Sequence, residues 1–354
     1  MPPVPPAPAL SPETAADRRT VAVRADDAIV DLLIIGAGLA GIAAAQSAAA
    51  QGLHAIVIDK GRGIGGRMAS RRVVLDDGRT ISFDHGAQFM TARSPALIAR
   101  MVAAEADGAV RRLDADDTQD PRWVGGHPRW VGVGAMTALV KALARGLEIR
   151  PAVRVACIGR DAGIWTLTDD QDAVIGRGRR LIVTTPPEQA LDLLIDTVLP
   201  EGWRRRIAGT LVAPCWALML ATAQPLPLPA PRWRPDDEAI AWISDQRALP
   251  GHDRDIPAYV VHASPHWSRV HLERDAGGVA GLLIGEIGRL TGTTIMPLYA
   301  QAHRWRHALV ELPLGAPCLA DHAAGLAIAG DWCIGGRAEA AVDSGRAAVL
   351  ALTG

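Results

Sequence analysis

The sequence predicts an α/β protein in two parts: a nucleotide-binding domain assembled from both ends of the chain, and a second, mixed-sheet domain from its middle. Three observations carry this. A short apolar run, Leu32-Leu33-Ile34-Ile35, leads directly into Gly36, Gly38 and Gly41, spaced G-x-G-x-x-G. A second buried run returns near the far end and finishes in Gly330-Asp331. Between them, from Leu211 onward, strand-like segments carry no second nucleotide fingerprint.

Taken in order, the chain opens with six prolines in its first twelve residues. It has no basic stretch followed by an apolar core, so residues 1–28 read as a disordered arm rather than a signal peptide. The strand ending at Ile35 is followed by an Ala-rich helix from Leu39 to about Gln51, stopped by Gly52, and by a strand Ala55–Ile58. That strand ends in Asp59, 23 residues after Gly36. The first glycine permits the tight turn, the second lets backbone approach a pyrophosphate, and the third lets helix and strand pack closely. A diphosphate then meets the free N–H groups of Leu39 and Ala40 at the helix start, while Asp59 is placed for the ribose hydroxyls. This is a Rossmann-like dinucleotide-binding unit. Leu32 to Ala50 is nearly uncharged and long enough to span a bilayer. Its apolarity comes from Gly and Ala around a phosphate turn, so it reads as a buried strand–turn–helix.

Gly65-Gly66-Arg67 follows at once, a backbone suited to close approach with a guanidinium that reaches phosphates. Val73–Leu75 and Thr80–Phe83 form a hairpin around Asp77-Gly78. Asp84–Phe89 offers small residues for a flat ring to lie against. Helices are expected at Pro95–Ala106, over Met136, Leu139, Val140 and Leu143, at Glu188 to about Val198, from Ser264-Pro265, at Gly278–Leu290 and at Ala338 to about Leu352. Further strands are expected around Glu148–Val155, Ile164–Thr168, Arg180–Val183, Cys215–Ala221, Ala239–Ile243, Tyr259–His262 and His303–Ala308. Asp114–Asp120 reads as an acidic loop facing water. The nucleotide-binding domain is thus expected at 29–92, 133–192 and 318–354, and the substrate domain at 93–132 and 193–317.

A net charge of −1 and a pI near 6.8 give no pull toward nucleic acid or anionic membranes. The cysteines at 157, 215, 318 and 333 have neither disulfide-framework nor metal-site spacing, which fits a soluble cytoplasmic protein without a metal. The only lysines are Lys60 and Lys141, and ten Trp stand against two Tyr and two Phe.

Together the strand–GxGxxG–helix–strand–acid unit, the GG-R segment, Val153–Val155 and Gly330-Asp331 resemble flavoproteins of the amine-oxidase-like branch. Within that branch the chain resembles bacterial renalases. The segments that carry this are DKGRGIGGRM (Asp59–Met68), DHGAQFMTAR (Asp84–Arg93), RWVGVGAMTALVKAL (Arg129–Leu143), HASPHWSRVHLE (His262–Glu273), AHRWRHA (Ala302–Ala308) and GDWCIGGRAEAAVDSG (Gly330–Gly345). The resemblance implies an FAD-binding domain holding the cofactor non-covalently through Gly36, Gly38, Leu39, Ala40, Gly41, Asp59, Lys60, Arg62, Gly66, Arg67, Gln88, Phe89, Val155, Thr185, Gly330, Asp331 and Val342. Cys333 beside the Gly-Asp turn reads as a small buried hydrophobe rather than a flavin attachment.

The resemblance also implies an activity: an FAD-dependent oxidase of 2- or 6-dihydroNAD(P), giving NAD(P)+ and, with O2, H2O2. Such a donor needs stacking and orientation more than a base, so no catalytic base is nominated. Candidate substrate contacts are Phe89, Thr91 and Arg93, which leave the flavin-facing segment, Trp130 with Gly132, and His262, Trp267 and Trp305. His85, His262 and His303 read equally well as structural histidines, and each Trp as core packing. The alternatives are a flavin amine oxidase and a desaturase of an apolar metabolite. Amine oxidases commonly use a Lys that holds a water at flavin N5, and no Lys occurs after Lys141.

Overall fold

The computed structural model describes residues 28–113 and 127–354, so the expected arm and acidic loop lie outside the described residues. Ile29–Ile35 pairs in parallel with Ala55–Ile58 on one side and Val174–Val183 on the other. Leu326–Ile328 extends the sheet beyond Val174–Val183, and Glu148–Arg150 extends it beyond Ala55–Ile58, both in parallel. The two apolar runs from opposite ends of the sequence therefore lie in one sheet, separated by a single strand. Antiparallel Leu319–Asp321, Ile164–Thr168 and Cys157–Asp161 complete its eight strands.

Both faces are covered, which is why these strands are continuously apolar rather than alternating. Leu32, Ile34, Val57, Ile182 and Ala327 pack under the helices Leu39–Ala50 and Ala338–Thr353. Leu33, Ile35, Ile58 and Val183 face Trp165, Leu194, Trp203 and Ile207 on the other side. The two covering helices almost touch: a Cβ on Gly345 would stand 2.0 Å from the Ala40 carbonyl oxygen. No helix among the described residues is long and apolar enough to cross a membrane.

Several elements differ from expectation for identifiable reasons. The strand expected at Arg180–Val183 starts at Val174. Its extra half contains Gly176 and Gly178, which make room for Leu33, whose side chain would lie 3.0 and 2.8 Å from added Cβ atoms. The strand at Glu148 ends at Arg150, because Ala152 adopts φ 59° and turns the chain. Val153–Val155 is thus an irregular segment, tied back by Val153 N–H to the Asp59 carbonyl at 2.9 Å. The helix expected to reach Val198 stops at Leu193, leaving Ile195 and Val198 exposed. Cys157–Asp161 and the helix Trp203–Ala208 were not foreseen.

The middle block forms a five-stranded sheet in the order Arg232–Trp233, Ile240–Asp245, Ala258–Ala263, Leu211–Thr222, Pro297–Leu312, antiparallel throughout. One face, with Trp216, Leu218, Tyr259 and Val261, packs on the helix Ala276–Thr291. At one end of the other face, Met219, Ala221, Ala258 and Val260 pack on the Arg71–Val74/Thr80–Phe83 hairpin. The rest of that face, toward Trp242, His262 and Trp305, turns to the nucleotide-binding end. The helix Pro95–Ala106 shares a core with Leu39, Ala43 and Met136, so residues 95–106 pack on the first helix.

Replacing Gly345 by Ala should push apart the two helices that flank the first strand. Chemical unfolding should show a loss of about 1–3 kcal/mol, and an unchanged midpoint would mean the helices can separate freely.

Candidate active site

The first turn is built on close backbone contacts. A Cβ on Gly41 would stand 1.9 Å from the Gly36 carbonyl oxygen, and one on Gly36 would stand 2.5 Å from Thr184 Oγ1. Thr184 Oγ1 in turn donates to the carbonyls of Ile35 (2.8 Å) and Gly36 (3.1 Å), locking the strand end. Gly38 has no atom within 4 Å of its would-be Cβ, and Gly66, at φ 54°, has only Gly38 Cα at 3.5 Å. Both glycines line one large cavity of about 1460 Å³. Asp59, at the end of the second strand, accepts from Ala37 N–H at 2.5 Å and Gly61 N–H at 2.6 Å, so its carboxylate is held at the cavity wall.

Arg67 leaves the GG-R segment and reaches the far end of the chain. Its guanidinium donates to Asp331 at 2.5 Å and to the Ala308 carbonyl at 3.2 Å. Asp331 is only 7% exposed, so this partner offsets the cost of burying its charge. The Arg67 carbonyl accepts from Ala87 N–H at 2.8 Å and would stand 2.1 Å from a Cβ on Gly86, so only glycine fits there. Trp332 Nε1 donates to the Thr185 carbonyl at 3.0 Å and closes the same wall.

The opposite wall is the open face of the five-stranded sheet. Trp242 and His262 are direct cross-strand partners. Two donors from this sheet converge on the His85 carbonyl: His262 Nε2 at 3.2 Å and Trp305 Nε1 at 3.0 Å. The His85 ring stacks on Trp305 at 5.3 Å and meets the His303 ring edge-on at 4.9 Å. Gln88 Oε1 accepts from Trp242 Nε1 at 3.2 Å, and Phe89 lies T-shaped to Trp242 at 6.3 Å. The Arg129 and Arg234 guanidinium groups lie over the Phe89 and Trp242 rings at 4.6 and 5.5 Å. Burial, reinforced by His303, pushes His85 down to about 3, and burial, aided by Arg234, pushes His262 down to about 4. Both rings are therefore neutral near neutral pH.

Most of the expected residues meet in this one cavity: Gly36, Gly38, Leu39, Ala40, Asp59, Lys60, Gly66, Arg67, Gln88, Phe89, Thr91, Val155, Thr185, His262, Trp305, Gly330 and Asp331 all line it. Others do not. Gly41 is used in helix–strand packing. Arg62 is exposed, with its neighbours Gly61 and Gly63 on the wall instead. Val342 faces the core, and Ala338 and Ala341, on the adjacent helix stripe, take its place. Arg93 is exposed off the cavity, its backbone N–H donating to Glu339 at 3.0 Å. Trp130 is fully buried beneath Arg112, and Gly132 makes the tight turn before Met136, where a Cβ would stand 2.0 Å from the Ala135 carbonyl oxygen. Trp267 lines a separate cleft of about 490 Å³, against His271. Cys333 is buried off the cavity, its thiol pushed up to about 12 by burial. Sequence reasoning missed Trp242, Arg234 and Trp332. For Trp242 no period-two signal was usable, because a register shift between Ile240 and Trp242 breaks the alternation and leaves Ile240 and Ile243 in the core of the sheet's other face.

Comparison with known proteins agrees with this layout. The family model for an NAD(P)-binding Rossmann-like domain matches residues 34–104, and the one for flavin containing amine oxidoreductases matches residues 123–352. The chain belongs to the flavin containing amine oxidoreductase family. FAD is accordingly its cofactor, and it is an FAD-dependent oxidoreductase. Similar solved structures share the fold at low identity. Cyclohexylamine oxidase from Brevibacterium oxydans IH-35A superposes with a TM-score of 0.68 at 14% identity, covering 92% of this chain and 99% of that one. An Exiguobacterium sp. 255-15 protein, provisionally named a protoporphyrinogen oxidase, gives 0.66 at 14%, covering 90% and 98%. A redesigned putrescine oxidase gives 0.64 at 13%, covering 90% and 97%.

The residues present fit FAD. The cradle at Gly38 and Gly66 is open only toward the cavity, where side chains would intrude on a diphosphate. The cavity also exceeds the ~300–1,000 Å³ of single small-molecule pockets, which leaves room for a second ligand.

Arg67→Ala should release FAD on dialysis and destabilise the protein by about 1–3 kcal/mol. This is less than the ~3–5 kcal/mol for a fully buried pair, because the Arg67 side chain is 35% exposed. Retained flavin absorbance in this variant would contradict the assignment. Stability should also depend on pH in a defined direction. The unfolded chain protonates His85 and His262 near the ordinary 6.5, whereas the native one refuses those protons down to about 3 and 4. Their contribution is therefore complete above pH 6.5 and is lost as pH falls toward 4. Melting temperature should drop across this window, and less steeply in His85→Asn; equal slopes would refute the link.

Proposed function

We propose that this flavoenzyme oxidises a dihydronicotinamide dinucleotide reduced at the wrong ring carbon, as the 2- or 6-dihydro isomer of NAD(P)H. One observation carries the reading. The five-stranded sheet brings Arg234 to the cavity lining but no carboxylate among the described residues, while the guanidinium groups of Arg304 and Arg306 are held by Glu273; the lining acids Asp59, Asp170, Asp192 and Asp331 all come from the nucleotide-binding end. A wall of this sign favours a substrate with phosphates over an ammonium ion. When bound, FAD would supply the hydride acceptor, with O2 as the final oxidant and H2O2 as its product.

The protein's part is to orient a donor that is already reactive. Trp242, with Phe89 edge-on to it, presents flat apolar surface for a pyridine ring, and Gln88 fixes the Trp242 indole. Arg234, which lies over Trp242 and lines the cavity, is placed for the substrate phosphates, where the expected contact Arg93 lies off the cavity. No lysine serves this end of the cavity: Lys60 Nζ is bound to Gln189 at 2.9 Å, and Lys141 lies on an exposed helix face. The water-holding lysine of amine oxidases therefore has no counterpart among the described residues. Amine oxidation remains compatible with the family, and the Phe89–Trp242 pair is the feature that favours it.

Anaerobic mixing separates these readings. Rapid bleaching of the flavin by 2- or 6-dihydroNAD, with primary amines inert, is the expected outcome; bleaching by amines alone would overturn it. Arg234→Ala should raise the half-saturating dinucleotide concentration roughly tenfold, the effect of losing one charge-assisted hydrogen bond. The same variant should leave reaction with phosphate-free dihydronicotinamide riboside unchanged.

A further inference from the structure

The His262 ring is fixed in more than position. Its Nε2 faces the His85 carbonyl oxygen at 3.2 Å. A carbonyl oxygen only accepts, so this contact is a hydrogen bond only when Nε2 carries the proton. The same oxygen takes Trp305 Nε1–H at 3.0 Å, so both its lone pairs are engaged and the arrangement is held from two sides. Burial and the nearby Arg234 keep the ring neutral, near 4, so it bears one proton only. Nδ1 is then a bare lone pair. His262 is half-buried and lines the cavity, and Nδ1 has no hydrogen-bond partner among the described residues yet is not sealed from the cavity. It sits beside Trp242, its cross-strand partner, at the aromatic surface where a ring would lie.

We propose that His262 Nδ1 is a specificity-determining acceptor that selects a substrate ring bearing an N–H donor, namely the carboxamide of a nicotinamide. This rests on the dihydropyridine reading above and adds to it the group recognised. The selection works by the cost of failure. A carboxylate or ketone in place of the carboxamide would bring a second lone pair against Nδ1, with no proton between them. A carboxamide puts one there. The tautomer is set by the backbone of Asp84–Gln88, the segment that also lies along the cavity, so binding geometry and proton position are fixed together.

Equilibrium binding to the oxidised, FAD-loaded enzyme tests this without turnover. The probes are NAD+ and its 3-acetylpyridine analogue, in which a methyl ketone replaces the carboxamide, each followed by perturbation of the flavin absorbance. The wild-type enzyme should bind NAD+ about fivefold more tightly, the effect of one neutral hydrogen bond. His262→Phe should bring the ratio to about one. His262→Asn, whose Oδ1 can stand near the Nδ1 position, should keep most of the preference. A wild-type enzyme that binds both dinucleotides equally overturns the acceptor role and leaves the dinucleotide reading standing, with no variant needed. Preference that survives in His262→Phe also overturns it. If neither dinucleotide binds and a primary amine bleaches the flavin, both readings fall together.

Discussion

Arg67 and Asp331 stand 264 residues apart in the chain and 2.5 Å apart in space. The same guanidinium holds the Ala308 carbonyl, on the edge strand of the five-stranded sheet. Three segments that share no local structure therefore meet at one cation. Burying the Asp331 carboxylate is tolerable only while that cation is present, and the backbone around Arg67 is itself fixed, through its carbonyl, against Gly86 and Ala87. The cradle of glycines, the Gly-Asp turn and the substrate-facing sheet keep their spacing because of this junction. Packing adds to it where Val212 and Val310 of that sheet join the cluster around Trp332 and Cys333.

The two walls of the cavity are electrically unlike. On the nucleotide-binding side, acids are present but engaged, Asp59 by backbone N–H groups and Asp331 by Arg67. Toward the sheet side, His85, His262 and His303 are all held down from their usual titration range by burial, and Arg234 supplies the charge. A histidine cluster at an active site invites an acid–base role. For His262 the proton inventory speaks against it: a neutral ring whose donor already serves the His85 carbonyl is a fixed dipole rather than a proton shuttle.

How much of this was legible in the sequence follows from the range of the interactions. The first turn and its acid are local, because Gly36 to Asp59 lie in one strand–helix–strand unit, and they could be read directly. The helices at Pro95–Ala106 and Ala338–Thr353 were equally plain, since a 3.6-residue period is a local property. The early start of the strand at Val174 was not, because the reason for Gly176 and Gly178 within it is the Leu33 side chain on a strand more than a hundred residues earlier. Trp130 and Trp242 look alike in sequence, yet one is sealed in the core and the other sits on the cavity wall. What separates them is which sheet face each occupies, and that depends on cross-strand register. Arg93, expected as a substrate contact, lies off the cavity, and Arg234, for which no role was expected, lines it.

The near-contact of Gly345 with Ala40 bears on how the chain comes to hold its cofactor during synthesis. The fingerprint emerges from the ribosome early, but the helix that covers it and the carboxylate that anchors Arg67 emerge only after the substrate-facing sheet. An unfinished chain exposes an Ala-rich helix face with nothing packed on it, in the manner of any domain whose ends must meet. A flavin site held together through the Arg67–Asp331 junction is therefore complete only once the covering helix has been made and has docked.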